Sequence, residues 1–206
     1  LSKLNSILDA AKKEKQLRSL VFTGEGKVFS AGADLDAVKK NNEITTTTQW
    51  EELSEKIANI PCLTLAALNG TLAGGAFGMV LACDLRIATP DANFFYPVLK
   101  NNILPQPNDI ERMVDIAGIS TAKLILLAGQ KISAQKAFNT NLIDEIVEKE
   151  AFIFTIDSLC SIAENNDGVS LLAIKRLFQA KCNSKIKKDA LLAVFEKNDA
   201  AIKRLK

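Results

Sequence analysis

The chain has 206 residues, of which 48 % are hydrophobic, and its formal net charge is +2. This length fits one large domain, or a domain with an appendage, and the hydrophobic fraction suffices for a proper core. The nearly balanced charge does not indicate a nucleic-acid partner or a membrane surface, and no apolar run reaches the length of a membrane span.

Two residue types exclude several kinds of site. The chain contains no histidine, which removes Ser-His and Cys-His nucleophilic systems and imidazole-based metal sites, so we expect no bound metal. The four cysteines form no Cys-x-x-Cys pair and are widely spaced, at Cys62, Cys83, Cys160 and Cys182. We interpret them as reduced, mostly buried thiols of a cytoplasmic protein.

The first third of the chain predicts two helices separated by a strand. Apolar residues recur at helical spacing in residues 4–11 and again in residues 50–60, where Pro61 ends the second helix. Between them, residues 20–23 form a short apolar run, which predicts a buried strand.

Residues 62–68 and 85–89 predict two further buried strands. Strands that alternate with helices favour parallel βαβ units and an α/β fold.

The second half of the chain predicts mainly helices. We expect one helix to be capped by Asp109 and to end at Gly118, and a later one to be capped by Ser133 and to run through Asn139. Residues 151–206 are expected to form two or three amphipathic helices.

Two glycine-containing stretches carry the functional signal. Residues 20–35 form an apolar run followed by Thr-Gly-Glu-Gly-Lys and then Phe-Ser-Ala-Gly-Ala-Asp-Leu. Residues 69–84 begin with Asn-Gly-Thr-Leu-Ala-Gly-Gly and continue with enough small and apolar residues for a buried helix. Glycine at a helix start permits close approach to the backbone, and the free N–H groups there can receive an anion or an oxygen that becomes one. Alone, the second stretch could equally be a tight strand-to-helix corner.

Together the two stretches resemble the crotonase (enoyl-CoA hydratase/isomerase) superfamily, which pairs such loops in this order. The resemblance implies a ClpP/crotonase-like α/β fold, a β-spiral of ββα units. Residues 1–147 would form its core and residues 148–206 a helical C-terminal region that mediates trimerisation. In the family the first helix follows an N-terminal pair of strands, which we expect to be missing from this sequence.

The resemblance also implies roles for the motif residues. In the family two backbone N–H groups form an oxyanion hole for the thioester oxygen of an acyl-CoA, and by position these belong to Ala33 and Gly75. Contacts to coenzyme A would fall on Lys27, Ala31, Asp34 and Leu35. No cofactor is expected other than coenzyme A as part of the substrate.

The acid–base positions of the family are altered in this chain. Hydratases place one glutamate three residues after the oxyanion glycine and another after the following strand, and these positions hold Gly78 and Val98. An aspartate that some isomerases and dehalogenases use falls on Gln106. None of these side chains can transfer a proton, so water addition by the usual two-glutamate route is not expected. The remaining candidates for acid–base chemistry are Asp109, Glu111 and Tyr96.

Two functions remain open. The first is an acyl-CoA-binding enzyme of fatty acid metabolism, a lyase or isomerase that stabilises a thioester enolate and carries out isomerisation, decarboxylation or thioester hydrolysis. The second is a catalytically silent homologue that binds an acyl-CoA or only assembles with a partner. In either case the resemblance implies a homotrimer or a dimer of trimers, and neither nucleic acid nor a membrane is expected as a partner.

Overall fold

The computed structural model describes residues 1–32 and 48–179. The helices are α1 (Ser2–Ala11), α2 (Gln49–Asn59), α3 (Ala76–Leu81), α4 (Pro107–Leu126), α5 (Ala134–Asn139), α6 (Phe152–Glu164) and α7 (Gly168–Gln179). The strands are β1 (Ser19–Thr23), β2 (Val28–Ser30), β3 (Leu63–Leu68), β4 (Thr71–Ala73), β5 (Leu85–Ala88), β6 (Asn93–Phe95), β7 (Ile132–Ser133) and β8 (Glu145–Ile146). Short 3-10 helices occupy Leu99–Asn101 and Lys149–Ala151.

The strands form two four-stranded sheets, and successive ββα units contribute one strand to each. The first sheet has the order β1-β3-β5-β8 and is parallel throughout. The second has the order β2-β4-β6-β7 and is parallel except for the antiparallel pair β6 and β7. The expected parallel α/β architecture of repeated ββα units is therefore confirmed.

The first sheet is buried on both faces, as parallel sheets usually are. Ala66 and Leu68 belong to the main core, which includes residues of α2 and α3, whereas Leu65 and Ala67 face a second cluster formed with α6. Successive side chains of a strand point to opposite faces, and so the apolar run of β3 packs helices against both sides.

The expected helix boundaries are confirmed at three points and wrong at one. α2 ends at Asn59, just before Pro61. Gly118, at φ 79 and ψ 157, breaks the helical conformation inside α4. Ser133 caps α5, accepting a hydrogen bond from the backbone N–H of Lys136 at 3.2 Å.

The expectation that Asp109 caps α4 is wrong. Gln106 is the N-cap residue and Pro107 begins the helix, because proline favours the first helical position, where its missing N–H costs nothing. Asp109 consequently lies inside the first turn, and its carboxylate accepts a hydrogen bond from the side chain of Tyr96.

The C-terminal region begins with the two helices α6 and α7, and residues 180–206 lie outside the described part of the chain. Cys62, Cys83 and Cys160 are buried and free, as expected, whereas Cys182 is not among the described residues. Within residues 1–32 and 48–179, no helix has the length and apolar composition needed to cross a membrane.

Candidate active site

The two glycine-containing stretches are joined by the side chain of Asn69. Its Oδ1 accepts a hydrogen bond from Gly24 N–H at 2.9 Å, and its Nδ2 donates to the carbonyl of Gly26 at 3.1 Å. A side chain at Gly70 would collide with the carbonyl oxygen of Lys27. The turn that begins the second stretch is thus pinned directly to the turn after β1.

The described end of the first stretch also reaches the glycine pair of the second. Gly32 adopts φ 86, and a Cβ there would lie 3.1 Å from the carbonyl oxygen of Ala73 and 3.5 Å from Gly74 Cα. Ala33, Asp34 and Leu35 lie outside the described residues. That Ala33 N–H meets Gly75 N–H at a common point therefore stays a prediction.

Gly75 is the N-cap residue of α3 and is half-buried. Within the described ranges, we find no hydrogen-bond acceptor for its backbone N–H. The indole ring of Trp50 packs on the glycine, since a Cβ at Gly75 would lie 2.9 Å from Trp50 Cε2. The absence of a side chain at this position thus makes room for the tryptophan.

Asp109 fills the space that a side chain at Gly78 would occupy. A Cβ at Gly78 would lie 2.6 Å from Asp109 Oδ1, so a glutamate there has no room while the aspartate keeps its position. Asp109 is 0 % exposed, and its Oδ2 accepts a hydrogen bond from Tyr96 Oη at 2.9 Å. Its Oδ1 has no hydrogen-bond partner among the residues that the structure describes. A buried carboxyl group from α4 therefore stands against Gly78 of α3.

The buried environment changes the proton affinity of both partners in this hydrogen bond. Burial raises the pKa of Asp109 to about 6, against the lowering effects of the Tyr96 hydrogen bond and the Arg112 charge. The pKa of Tyr96 is raised above its ordinary range, mainly by burial and secondly by the charge of Asp109. Tyr96, whose ring stacks on Phe77 with centroids 5.3 Å apart, is consequently a neutral hydrogen-bond donor that orients the carboxyl group.

Glu51 is an acidic residue of this region that sequence reasoning missed. Its Oε2 is buried and has no hydrogen-bond partner within residues 1–32 and 48–179. Its charge contributes to raising the pKa values of both Asp109 and Tyr96. No motif could have identified it, because a glutamate in the first turn of a helix is the ordinary complement of the helix dipole.

The surroundings of the other candidate residues differ from one another. Val98 is buried, whereas Glu111 is exposed on α4. Ala31 is exposed, and Lys27 lies at the rim of a cleft of about 490 Å³, whose lining also includes the ion pair of Lys149 and Asp91, 2.6 Å apart. In the part of the chain that the structure describes, no group of three or more Cys, Asp or Glu side chains is arranged to hold a metal ion.

Comparison with known proteins gives consistent matches. The family model described as enoyl-CoA hydratase/isomerase matches residues 1–199. A protein of Bacillus subtilis named as a probable enoyl-CoA hydratase is 31 % identical over 160 residues, which cover 72 % of this chain and 62 % of that protein. The mitochondrial methylglutaconyl-CoA hydratase of Mus musculus is 30 % identical over 153 residues, covering 72 % of this chain and 49 % of the relative. The chain thus spans about half to three fifths of the length of these relatives.

Solved structures agree with the observed fold. The crystal structure of an enoyl-CoA hydratase from Bacillus anthracis superposes with a TM-score of 0.85 at 26 % identity, covering 95 % of this chain and 80 % of that one. Three findings lead to one conclusion. They are the sheets of repeated ββα units, the hydrogen bond that joins the two glycine-containing stretches, and the family match over residues 1–199. This chain belongs to the enoyl-CoA hydratase/isomerase family, the crotonase superfamily.

Proposed function

We propose that the protein binds an acyl-CoA thioester and moves a proton along its acyl group through an enolate, as an isomerase. The observation that carries this proposal is Asp109, a fully buried carboxyl group with an unpartnered oxygen beside Gly78. A buried carboxyl group whose pKa is shifted towards neutrality is suited to holding and releasing a proton at physiological pH.

Enolate formation also requires that the thioester oxygen be stabilised. We assign this role to the backbone N–H groups of Gly75 and Ala33, because two such donors in a dry site stabilise a developing negative charge. The free N–H of Gly75 and the approach of Gly32 to Gly74 support the assignment.

Isomerisation fits the side chains of this site better than water addition does. Hydration requires one group to activate water and another to protonate the α-carbon, both within hydrogen-bond reach. Gly78 and Val98 supply neither at the positions that the family's hydratases use. A shift of a double bond needs only the removal of a proton from one carbon and its return at another. Decarboxylation and thioester hydrolysis are the alternative outcomes of the same enolate chemistry.

The remaining features of the proposal follow the family. We assign coenzyme A binding to Lys27, Ala31, Asp34 and Leu35, with no cofactor beyond the coenzyme A of the substrate. Assembly as a homotrimer or a dimer of trimers is supported by exposed apolar side chains on α6 and α7, such as Phe154 and Phe178. The buried free thiols fit a cytoplasmic location.

The test is the conversion of 3-butenoyl-CoA to 2-butenoyl-CoA. The wild-type protein should catalyse it, and Asp109→Asn should lower the rate at least about 100-fold, since removing a general acid–base group typically costs 10²–10⁴. Asp115→Asn, an exposed change on the same helix, is the matched control and should have little effect. Binding is followed separately through the emission of Trp50, the only tryptophan in the chain, which packs on Gly75.

Two results would contradict the proposal. A change in Trp50 emission on addition of the thioester, without turnover of any acyl-CoA in a panel, would favour the catalytically silent homologue. Robust hydration of 2-butenoyl-CoA would show that the acid–base groups have been wrongly assigned.

A further inference from the structure

Two buried carboxylate oxygens in the region of α3 have no hydrogen-bond partner in the described part of the chain. They are Asp109 Oδ1 and Glu51 Oε2, which come from the first turns of α4 and α2. Leaving a buried acceptor without a partner is unfavourable, and such atoms in a native structure call for an explanation. Two of them in one region suggest a ligand that interacts with both.

Hydrogen bonds between α2 and α4 bring the two carboxylates to the same place. Arg112 Nη1 donates to Ser54 Oγ at 2.8 Å, and Asn108 Nδ2 donates to Glu55 Oε1 at 2.8 Å. Glu51 precedes Ser54 and Glu55 by three and four positions, so all three lie on the same face of α2. That face is turned towards the first turn of α4, where Asp109 lies.

The helices that carry the two carboxylates meet α3 at successive positions. Trp50, which precedes Glu51 on α2, packs on Gly75, whereas Asp109 Oδ1 of α4 stands against Gly78. Positions 75 and 78 are about 5 Å apart along a helix. An acyl chain that runs along α3 from the Gly75 N–H would therefore pass the α2 contact before it reaches Asp109.

We propose that Glu51 is the second catalytic acid–base residue of this site and acts as the base at the α-carbon, while Asp109 delivers the proton to the γ-carbon. This inference rests on the proposed isomerase function. It assigns to the chain a pair of carboxyl groups from helices α2 and α4, in place of the glutamates that are absent at positions 78 and 98.

Each step balances in atoms and charge. The carboxylate of Glu51 takes a proton from C2 of a 3-enoyl thioester, and the electron pair of the C–H bond forms the enolate. The carboxyl group of Asp109 gives its proton to C4, where the electron pair of the C3–C4 double bond forms the new C–H bond. The double bond then lies between C2 and C3, and the proton on Glu51 returns to Asp109 before the next turnover.

The direction of transfer follows from the surroundings of the two side chains. Asp109 is fully buried, and burial favours its neutral, proton-donating form up to about pH 6, whereas Glu51 is only partly buried. Two carboxyl groups in unlike environments commonly divide into an acid and a base in this way.

The experiment separates the two proton transfers. Exchange of the α-hydrogens of butyryl-CoA in D₂O needs only the base, whereas isomerisation of 3-butenoyl-CoA needs both groups. Glu51→Gln should lower both rates at least about 100-fold, and Asp109→Asn should lower isomerisation while leaving exchange within about tenfold. Glu52→Gln, at the neighbouring exposed position, is the matched control and should change neither rate.

A merely structural role of Glu51 is distinguished by chemical rescue. Exchange by Glu51→Ala should recover on addition of formate, which a fold defect would not allow, and thermal melts should match those of the wild type. Exchange that survives in Glu51→Gln, or that formate fails to restore in Glu51→Ala, would overturn the inference while leaving the isomerase proposal standing. A wild-type protein with neither exchange nor isomerisation would overturn both.

Discussion

Replacing Asp109 by asparagine should stabilise the protein at neutral pH. Burial raises the pKa of this carboxyl group from 3.8 to about 6, a difference of roughly two units at about 1.36 kcal/mol each, or about 3 kcal/mol. The unfolded chain releases this proton near pH 4, whereas the native protein keeps it until about pH 6. Between these values the native state binds more protons, so the unfolding free energy falls as pH rises. Above about pH 6 the full free-energy cost of ionising the buried carboxyl group is subtracted from the stability of the folded protein.

The variant Asp109→Asn removes this titration. Its unfolding free energy should equal that of the wild type near pH 4 and exceed it by up to about 3 kcal/mol at pH 8. Urea unfolding at several pH values between 4 and 8, followed by circular dichroism and by Trp50 emission, measures the difference, with Asp115→Asn as the control. A difference that does not change across this range would refute the argument that Asp109 ionises at a cost inside the folded protein.

Three further predictions follow from the same structure. Gly78→Ala would ordinarily stabilise a helix by about 1 kcal/mol. Here it should lower the unfolding free energy by about 1–3 kcal/mol because its Cβ meets Asp109 Oδ1 at 2.6 Å, and in an Asp109→Ala background the loss should disappear. Asp84→Ala should lower the unfolding free energy, measured with urea, by about 3 kcal/mol. In the wild type Lys175 is only 8 % exposed and its Nζ lies 2.7 Å from Asp84 Oδ2, so the variant leaves a buried charge without its partner; unchanged stability would contradict this. Light scattering should give the mass of a trimer or hexamer, and a monomer at micromolar concentration would refute the proposed assembly.

The helices and the parallel sheet could be predicted because their signals are local. Apolar spacing identified α1 and α2, and the buried runs identified β1, β3 and β5. The strands β2, β4 and β6 were missed because each has three residues, too few to show an alternating pattern. Thus three of the four strands of the first sheet were predicted from local patterns, whereas the individual strands of the second sheet were located only in the structure.

The start of α4 shows how one local signal can override another. Aspartate is a good N-cap residue, and this preference favoured a helix beginning after Asp109. Pro107 fixes a helical φ two residues earlier and moves the start to Gln106. With the cap three residues ahead of it, the Asp109 side chain is left inside the first turn, where it turns inward to Tyr96 and Gly78.

The contact between Asp109 and Gly78 could not be predicted, because it depends on how α4 packs across α3. Taken separately, Gly78 indicates a lost catalytic group and Asp109 a helix cap. Taken together they are complementary in volume, since the missing side chain of one makes room for the carboxyl group of the other. A family motif records which position carries a functional group, but the chemistry depends on where that group lies in space. An empty motif position is therefore weak evidence against catalysis in a chain whose neighbouring helix carries a buried carboxyl group at the same place.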